Sequence, residues 1–183
     1  PPGLLVRYEI ERASWIWDEA CSIPKHKVLR FRLNFETAAE EIRFQFSADQ
    51  FACIYLDGHW LTRGPDAGPP WYYGFSEYAV ELAEGSHCLE ALVWWFGRDA
   101  PGARMTEFPG FVLKGCDKWH EILTTGLAPW RVAAVEGIGV EPDAPQGEIL
   151  DTGSNGLVDA EAFNRTPAVW KEPVVVQGPL RET

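Results

Sequence analysis

Apolar and polar side chains alternate with period two along much of the first hundred residues. In residues 28–36 (VLRFRLNFE), Leu29, Phe31, Leu33 and Phe35 fall on one side of an extended chain, and Arg30, Arg32, Asn34 and Glu36 on the other. That spacing predicts a half-buried strand. After a polar turn at 37–40 it resumes, with Ile42, Phe44 and Phe46 inward and Arg43, Gln45 and Ser47 outward. Residues 51–56 predict a shorter, more apolar strand. Asp57-Gly58 then supplies the positive φ angles of a two-residue hairpin, so 59–63 should pair back on it. Residues 77–82 and 87–96 flank a further turn. The second of these runs is apolar on both phases, as expected of a central strand covered on both faces, and Trp94 and Trp95 within it must point in opposite directions. A last short strand is expected at 111–113.

Six or seven short strands with turns every 8 to 12 residues or so predict an all-β, antiparallel sandwich or barrel. No convincing amphipathic helix and no internal repeat is present. Beyond Gly115 the pattern weakens. Residues 116–130 suggest an irregular strand around Trp119, and 137–155, rich in Gly, Pro and acidic residues, suggest an extended tail. WKEPVVV (170–176) suggests another strand, whose Pro173 favours a sheet edge. The expected organisation is a sandwich over 13–115, with an extension over 116–183 packing on it or on a neighbouring domain.

Composition narrows the function classes. Sixteen Lys and Arg against 27 Asp and Glu leave a net charge of −11, which repels phosphate backbones and anionic lipid headgroups. Neither nucleic acid nor a membrane is an expected partner. The longest apolar run, 91–96, is far short of the roughly 20 residues that a bilayer-spanning helix needs. The start on Pro-Pro-Gly without Met suggests a trimmed or processed product. Cys21, Cys53, Cys88 and Cys116 form no CxxC pair, and Cys53 and Cys88 lie in apolar runs, so reduced, mostly buried thiols are expected. The anomaly is aromatic content: nine Trp, ten Phe and five Tyr, too many for all to be assumed core.

The aromatics concentrate in one unusual loop. Residues 64–74 (GPDAGPPWYYG) combine Gly and Pro with three adjacent rings, a composition that forbids a regular element and suits a folded loop. Sugars stack their apolar C–H faces on Trp and Tyr while polar groups bind the hydroxyls. Trp60, Arg63, Asp66, Trp71, Tyr72 and Tyr73 supply both halves of that pairing and are the candidate carbohydrate-binding residues. The competing expectation is that these rings fold over a sheet or wedge against a neighbouring domain, with Arg63 bonding backbone carbonyls.

The run from 47 to 97 resembles the N-terminal accessory β-sandwich of bacterial α-L-rhamnosidases and related glycoside hydrolases. The resemblance lies in the order of Ala48-Asp49, the Asp57-Gly58 hairpin, Gly64-Pro65 and the long apolar strand 92–97 ending in Gly. The opening Ala13-Ser14-Trp15-Ile16-Trp17 fits as well; Phe108-Pro-Gly-Phe111 and Trp170-Lys-Glu-Pro fit more loosely. It implies a jelly-roll, galactose-binding-like sandwich that is not itself the hydrolase, since the family's catalytic carboxylates belong to a separate α-helical barrel. The partners implied are the remaining domains of a parent hydrolase and rhamnose-containing or other plant glycans.

The residues themselves suggest no chemistry of bond cleavage. Glycoside hydrolysis needs two carboxyl groups about 5 to 9.5 Å apart, and the spacing of the 27 acids selects no such pair. Asp57 is accounted for by its turn. The four His are scattered, and Cys116-xxx-His120 is half of a metal site. No GxSxG elbow or phosphate loop is present. No catalytic residue and no cofactor is expected, while a calcium ion on loop carbonyls stays open. Three functional readings follow: a non-catalytic accessory domain, an autonomous carbohydrate-binding module using the loop 60–73, and a structural interdomain module.

Overall fold

The computed structural model describes residues 8–19, 27–66, 73–97, 106, 108–135, 163–164 and 169–178. Ten strands run in chain order: Trp15–Trp17 (β1), Lys27–Thr37 (β2), Glu40–Asp49 (β3), Phe51–Leu56 (β4), His59–Gly64 (β5), Ser76–Leu82 (β6), Gly85–Trp95 (β7), Gly110–Gly115 (β8), Arg131–Ala134 (β9) and Val174–Gln177 (β10). They form two five-stranded antiparallel sheets. The first has the order β10-β1-β8-β3-β6, the second β5-β4-β7-β2-β9. The fold is thus an all-β, antiparallel sandwich, one of the two architectures that the alternation predicts and the one that the resemblance implies.

The inward phase of each strand builds one core. Leu29, Phe31 and Leu33 of β2 and Ala91, Val93 and Trp95 of β7 meet Ile42, Phe44 and Phe46 of β3 and Phe111 and Leu113 of β8, all essentially buried. β2 and β7 pair without interruption from Lys27↔Trp95 to Thr37↔Gly85. A one-residue slip there would turn every core ring outward, which is why the register is strongly specified. The hairpin between β4 and β5 closes at Leu56↔His59. Its loop residues Asp57 and Gly58 have φ values of 51° and 80°, the two left-handed conformations that this turn requires.

Residues 116–130 depart from the expected irregular strand. Asp117–Trp119 form a 3₁₀ turn that runs into the short helix His120–Leu123 (α1). Two observations explain the reversal. Gly115 lies so close to the returning chain that a Cβ would sit 2.1 Å from the Trp119 carbonyl oxygen. The threonines after α1 then do what a strand would have done: Thr125 Oγ1 accepts the Leu113 N–H at 3.1 Å and Thr124 Oγ1 the Gly115 N–H at 3.2 Å. Trp119 is buried and donates its indole N–H to the Glu41 carbonyl.

Later residues complete both sheets. β9 adds to β2 at the edge of the second sheet, and β10, following Pro173, pairs with β1 at the edge of the first. The proposed tail at 137–155 lies outside the described residues. Both outer faces are partly covered. On the first sheet Ile10, Ala13, Trp15 and Val112 form an apolar layer joined by Tyr73, Phe75 and Phe108. Ser47, on the outward phase of β3, is fully buried there because its hydroxyl donates to the Gly74 carbonyl at 2.6 Å. On the second sheet Val28, Cys53, Tyr55, Leu92, Trp94 and Val135 form a separate cluster joined by Phe163. Trp95 therefore belongs to the core and Trp94 to this outer layer.

Candidate functional site

The candidate carbohydrate-binding residues divide between the two faces. Trp60 pairs with Tyr55 and Arg63 with Cys53, and directly opposed residues share a face. Tyr55 and Cys53 belong to the outer layer of the second sheet, so Trp60 and Arg63 do too. Two residues three apart in a regular strand would point opposite ways. Here the register shifts between Ile54 and Tyr55, the extra residue of a β-bulge, and it brings both outward. Leu61, within the bulge, packs against the main core. Trp60 is 57% exposed, and Arg63 is exposed as well.

Tyr73 lies elsewhere. Its ring meets Trp15 edge-on, centroids 5.1 Å apart, over the outer face of the first sheet. Burial there, with Glu11 nearby, pushes its hydroxyl up to about 12. Asp66 is exposed, but its backbone lies beside Gly74, at the base of the same loop. Trp71 and Tyr72 fall outside the described residues. The structure thus brings Trp60 and Arg63 together and sets Tyr73 on the other sheet.

Next to Trp60 and Arg63 lies a cluster that sequence reasoning missed. Arg30 is gripped by Glu90 through two parallel bonds of 2.9 Å, and Arg32 Nε donates to the same carboxylate at 2.8 Å. The guanidinium of Arg30 lies 4.2 Å from the centre of the Phe163 ring and donates to the Phe163 carbonyl at 2.8 Å. Phe163 in turn stacks on Tyr55 at 3.8 Å. Arg32 covers Trp170 at 4.3 Å. Phe163 and Trp170 are therefore held to the outer face of the second sheet by cation–π and stacking contacts. In the sequence, Arg30 and Arg32 sit on the polar phase of β2 and Glu90 interrupts an otherwise apolar run, and nothing local marks Arg30 and Glu90 as a buried pair.

Acid–base chemistry finds little to work with among the described residues. Asp18 and Glu90 are the buried acids. Glu90 is held by two arginines, and Asp18 lies 2.5 Å from Lys27 and 3.7 Å from Lys171. A general acid needs a carboxyl kept neutral, whereas both of these face cations. Glu40 pairs with Lys118 and Thr37. At the hairpin, Asp57 accepts the Cys88 N–H at 2.8 Å and contacts His87 Nδ1 at 2.7 Å, while His87 Nε2 contacts the Ala83 carbonyl at 2.9 Å. A carbonyl only accepts, so Nε2 carries a proton, and a carboxylate beside Nδ1 calls for another. The hydrogen bond to Asp57 accordingly raises the His87 pKa. Desolvation alone would raise Asp57, but the bonds from His87 and Cys88 outweigh it and hold the carboxyl below its ordinary value. With both ring nitrogens donating, His87 is a brace across two turns and has no lone pair free to act as a base.

Among the described residues no three His, Cys, Asp or Glu side chains come together as metal ligands, and no helix is long and apolar enough to cross a membrane. Cys53, Cys88 and Cys116 are free thiols, and Cys21 lies outside the described residues. A shallow, open depression lies between the β2–β3 and β6–β7 turns, lined by Glu36, Thr37, Glu84 and Ser86.

Taken together, the two sheets define an all-β antiparallel sandwich. Comparison with solved structures agrees. The chain is similar to a GH78 family rhamnosidase of Bacillus sp. GL1, with a TM-score of 0.58 and 22% identity over 67% of this chain and 13% of that one. It is also similar to the apo form of a Pleurotus ostreatus lectin, with a TM-score of 0.56 and 15% identity over 97% of this chain and 45% of that one. The same lectin in complex with GalNAc matches at a TM-score of 0.53 and 15% identity. The chain spans about an eighth of the rhamnosidase and under half of the lectin. No family model matches the chain, and no curated protein matches it either.

Proposed function

We propose that this chain is a non-catalytic accessory sandwich of a larger glycoside hydrolase of the α-L-rhamnosidase type, supporting a catalytic domain that lies elsewhere. The observation that carries the reading is the match of two thirds of the chain to a small part of a rhamnosidase. The commitment of both buried acids to cations supports it from the chemical side. The test is turnover of an aryl α-L-rhamnoside by the purified chain. Hydrolysis at the blank rate is expected. Turnover that is abolished by replacing one carboxylate of this chain would overturn the reading.

The match to a lectin over nearly the whole chain favours a second reading, in which the sandwich itself binds sugar. Trp60, Arg63, Asp66, Trp71, Tyr72 and Tyr73 remain its candidate residues. Calorimetric titration with rhamnose, galactose and pectic oligosaccharides tests it. Absence of heat with every sugar would end it.

A further inference from the structure

The bulge in β5 creates a surface that the loop composition does not describe. Trp60 offers an open ring and Arg63 an exposed guanidinium, both on the outer face of the second sheet and at its edge. Neither side chain makes a hydrogen bond or ion pair with the described residues. Below them the sheet is apolar and dry: Tyr55, opposite Trp60, is 5% exposed and Cys53, opposite Arg63, is fully buried.

Charge on this face runs against that of the chain. The whole protein carries −11, yet on the outer face of the second sheet Arg30, Arg32, Arg63 and Arg131 stand beside Glu90 and Glu36; Glu90 is engaged by Arg30 and Arg32, Arg131 pairs with Glu172, and Glu36 accepts from Ser86. The other charged groups around β5 do not neutralise Arg63. Asp57, at the hairpin turn, is taken by His87. His59 lies at the start of β5, opposite Leu56. The backbone of Asp66 lies past the buried Pro65 and beside Gly74, whose carbonyl is bound to Ser47 of the first sheet. Among the described residues Arg63 thus presents a cation with no acidic partner, at the margin of a buried apolar layer, where a charge-assisted bond to a carboxylate is available.

We infer that the Trp60–Arg63 face binds a saccharide bearing a carboxylate, a uronic-acid type of glycan, through stacking of a pyranose ring on Trp60 and bonding of the sugar carboxylate to Arg63. Their backbone positions lie at most about 10 Å apart along the strand, a span that suits a short saccharide lying parallel to β5. Because β5 ends its sheet, its outer backbone N–H and C=O groups are available to sugar hydroxyls. Stacking alone would accept any sugar with an apolar face, and the unpaired guanidinium selects the anionic ones. The inference rests on the second reading above, that the sandwich binds sugar.

Trigalacturonic acid and its methyl ester, equal in shape and different in charge, are the probes, titrated against the full chain by calorimetry and tryptophan fluorescence. The acid is expected to bind about tenfold or more tightly than the ester, and its binding to weaken with added salt. Trp60→Ala should abolish binding, and Arg63→Ala should cost about tenfold or more for the acid while leaving the ester unchanged. Arg63→Lys should restore part of the loss. Both residues are exposed, so thermal melts should stay unchanged in every variant. Equal affinity for acid and ester, with Arg63→Ala silent, would overturn the anionic preference and leave the sugar-binding reading standing. Acid binding that survives both variants would place the site elsewhere and overturn the inference. Binding of no saccharide, charged or neutral, would remove both readings together.

Discussion

Glu90 is the most informative single position for the energetics of this fold. Its carboxylate has about 4% of its side-chain surface exposed and serves Arg30, itself about 10% exposed, and Arg32, about 34% exposed. Glu90→Gln keeps the volume and one acceptor but turns an NH₂ toward a guanidinium, so donor faces donor. Arg30 is then left buried without a counter-charge, with only the remaining amide oxygen and the Phe163 carbonyl and ring for compensation. Breaking a buried pair by removing one partner costs about 3–5 kcal/mol. Arg32 adds little to this because it can turn to water. With a urea slope of about 2–3 kcal/mol/M, the midpoint should fall by about 1–2.5 M at unchanged slope, and the melting temperature by roughly 6–20 °C. Urea unfolding followed by tryptophan fluorescence measures it. Glu36→Gln, an exposed change on the same polar phase of β2, is the control and should stay within about 0.5 kcal/mol. Arg30→Met combined with Glu90→Leu should recover much of the loss, since a hydrophobic pair strands no buried charge. A fall of less than about 0.5 M for Glu90→Gln would refute the reasoning and mean that the network behaves as a solvated surface pair.

Other outcomes follow from the same geometry. Gly115→Ala would place a Cβ 2.1 Å from the Trp119 carbonyl oxygen, a backbone clash that no rotamer relieves. A loss of several kcal/mol or failure to accumulate folded protein is expected, checked by circular dichroism and soluble yield. The His87–Asp57 pair should show a bounded pH dependence. The raised His87 pKa makes its contribution full below the unfolded value of 6.5 and lost as pH rises through the folded value. The lowered Asp57 pKa makes its own contribution present above 3.8 and lost as pH falls through the folded value. The stability gap between wild type and His87→Gln should therefore be widest between these limits, at about 0.2–1 kcal/mol for so exposed a pair, and close at alkaline pH in urea titrations. Burial, with smaller contributions from nearby acids, raises the Cys88 and Cys116 thiols. Iodoacetamide at neutral pH should thus label both slowly, and should leave fully buried Cys53 untouched until the protein is unfolded.

The strands could be read from the chain wherever one face is wet. In 28–36 and 42–47 a polar residue follows almost every apolar one, and period two specifies both the strand and its inward set. Asp57-Gly58 was equally legible, because few residues tolerate two successive positive φ angles. Residues 116–130 were not: their helical turn follows from the contact between Gly115 and Trp119 and from threonines satisfying an otherwise open part of β8, and neither shows in local pattern. The candidate site was legible as a composition but not as a place. Alternation alone puts Trp60 and Arg63 on opposite faces, and only the β-bulge set by pairing with β4 brings them together. Chain proximity suggested one aromatic loop, yet Tyr73 is drawn to Trp15 on the other sheet because burial against that ring is what its neighbourhood offers. Periodicity thus determined which residues could pair and which side they would bury. Register, bulges and the layers over the outer faces depend on contacts between residues far apart in the chain, and only the tertiary structure decided them.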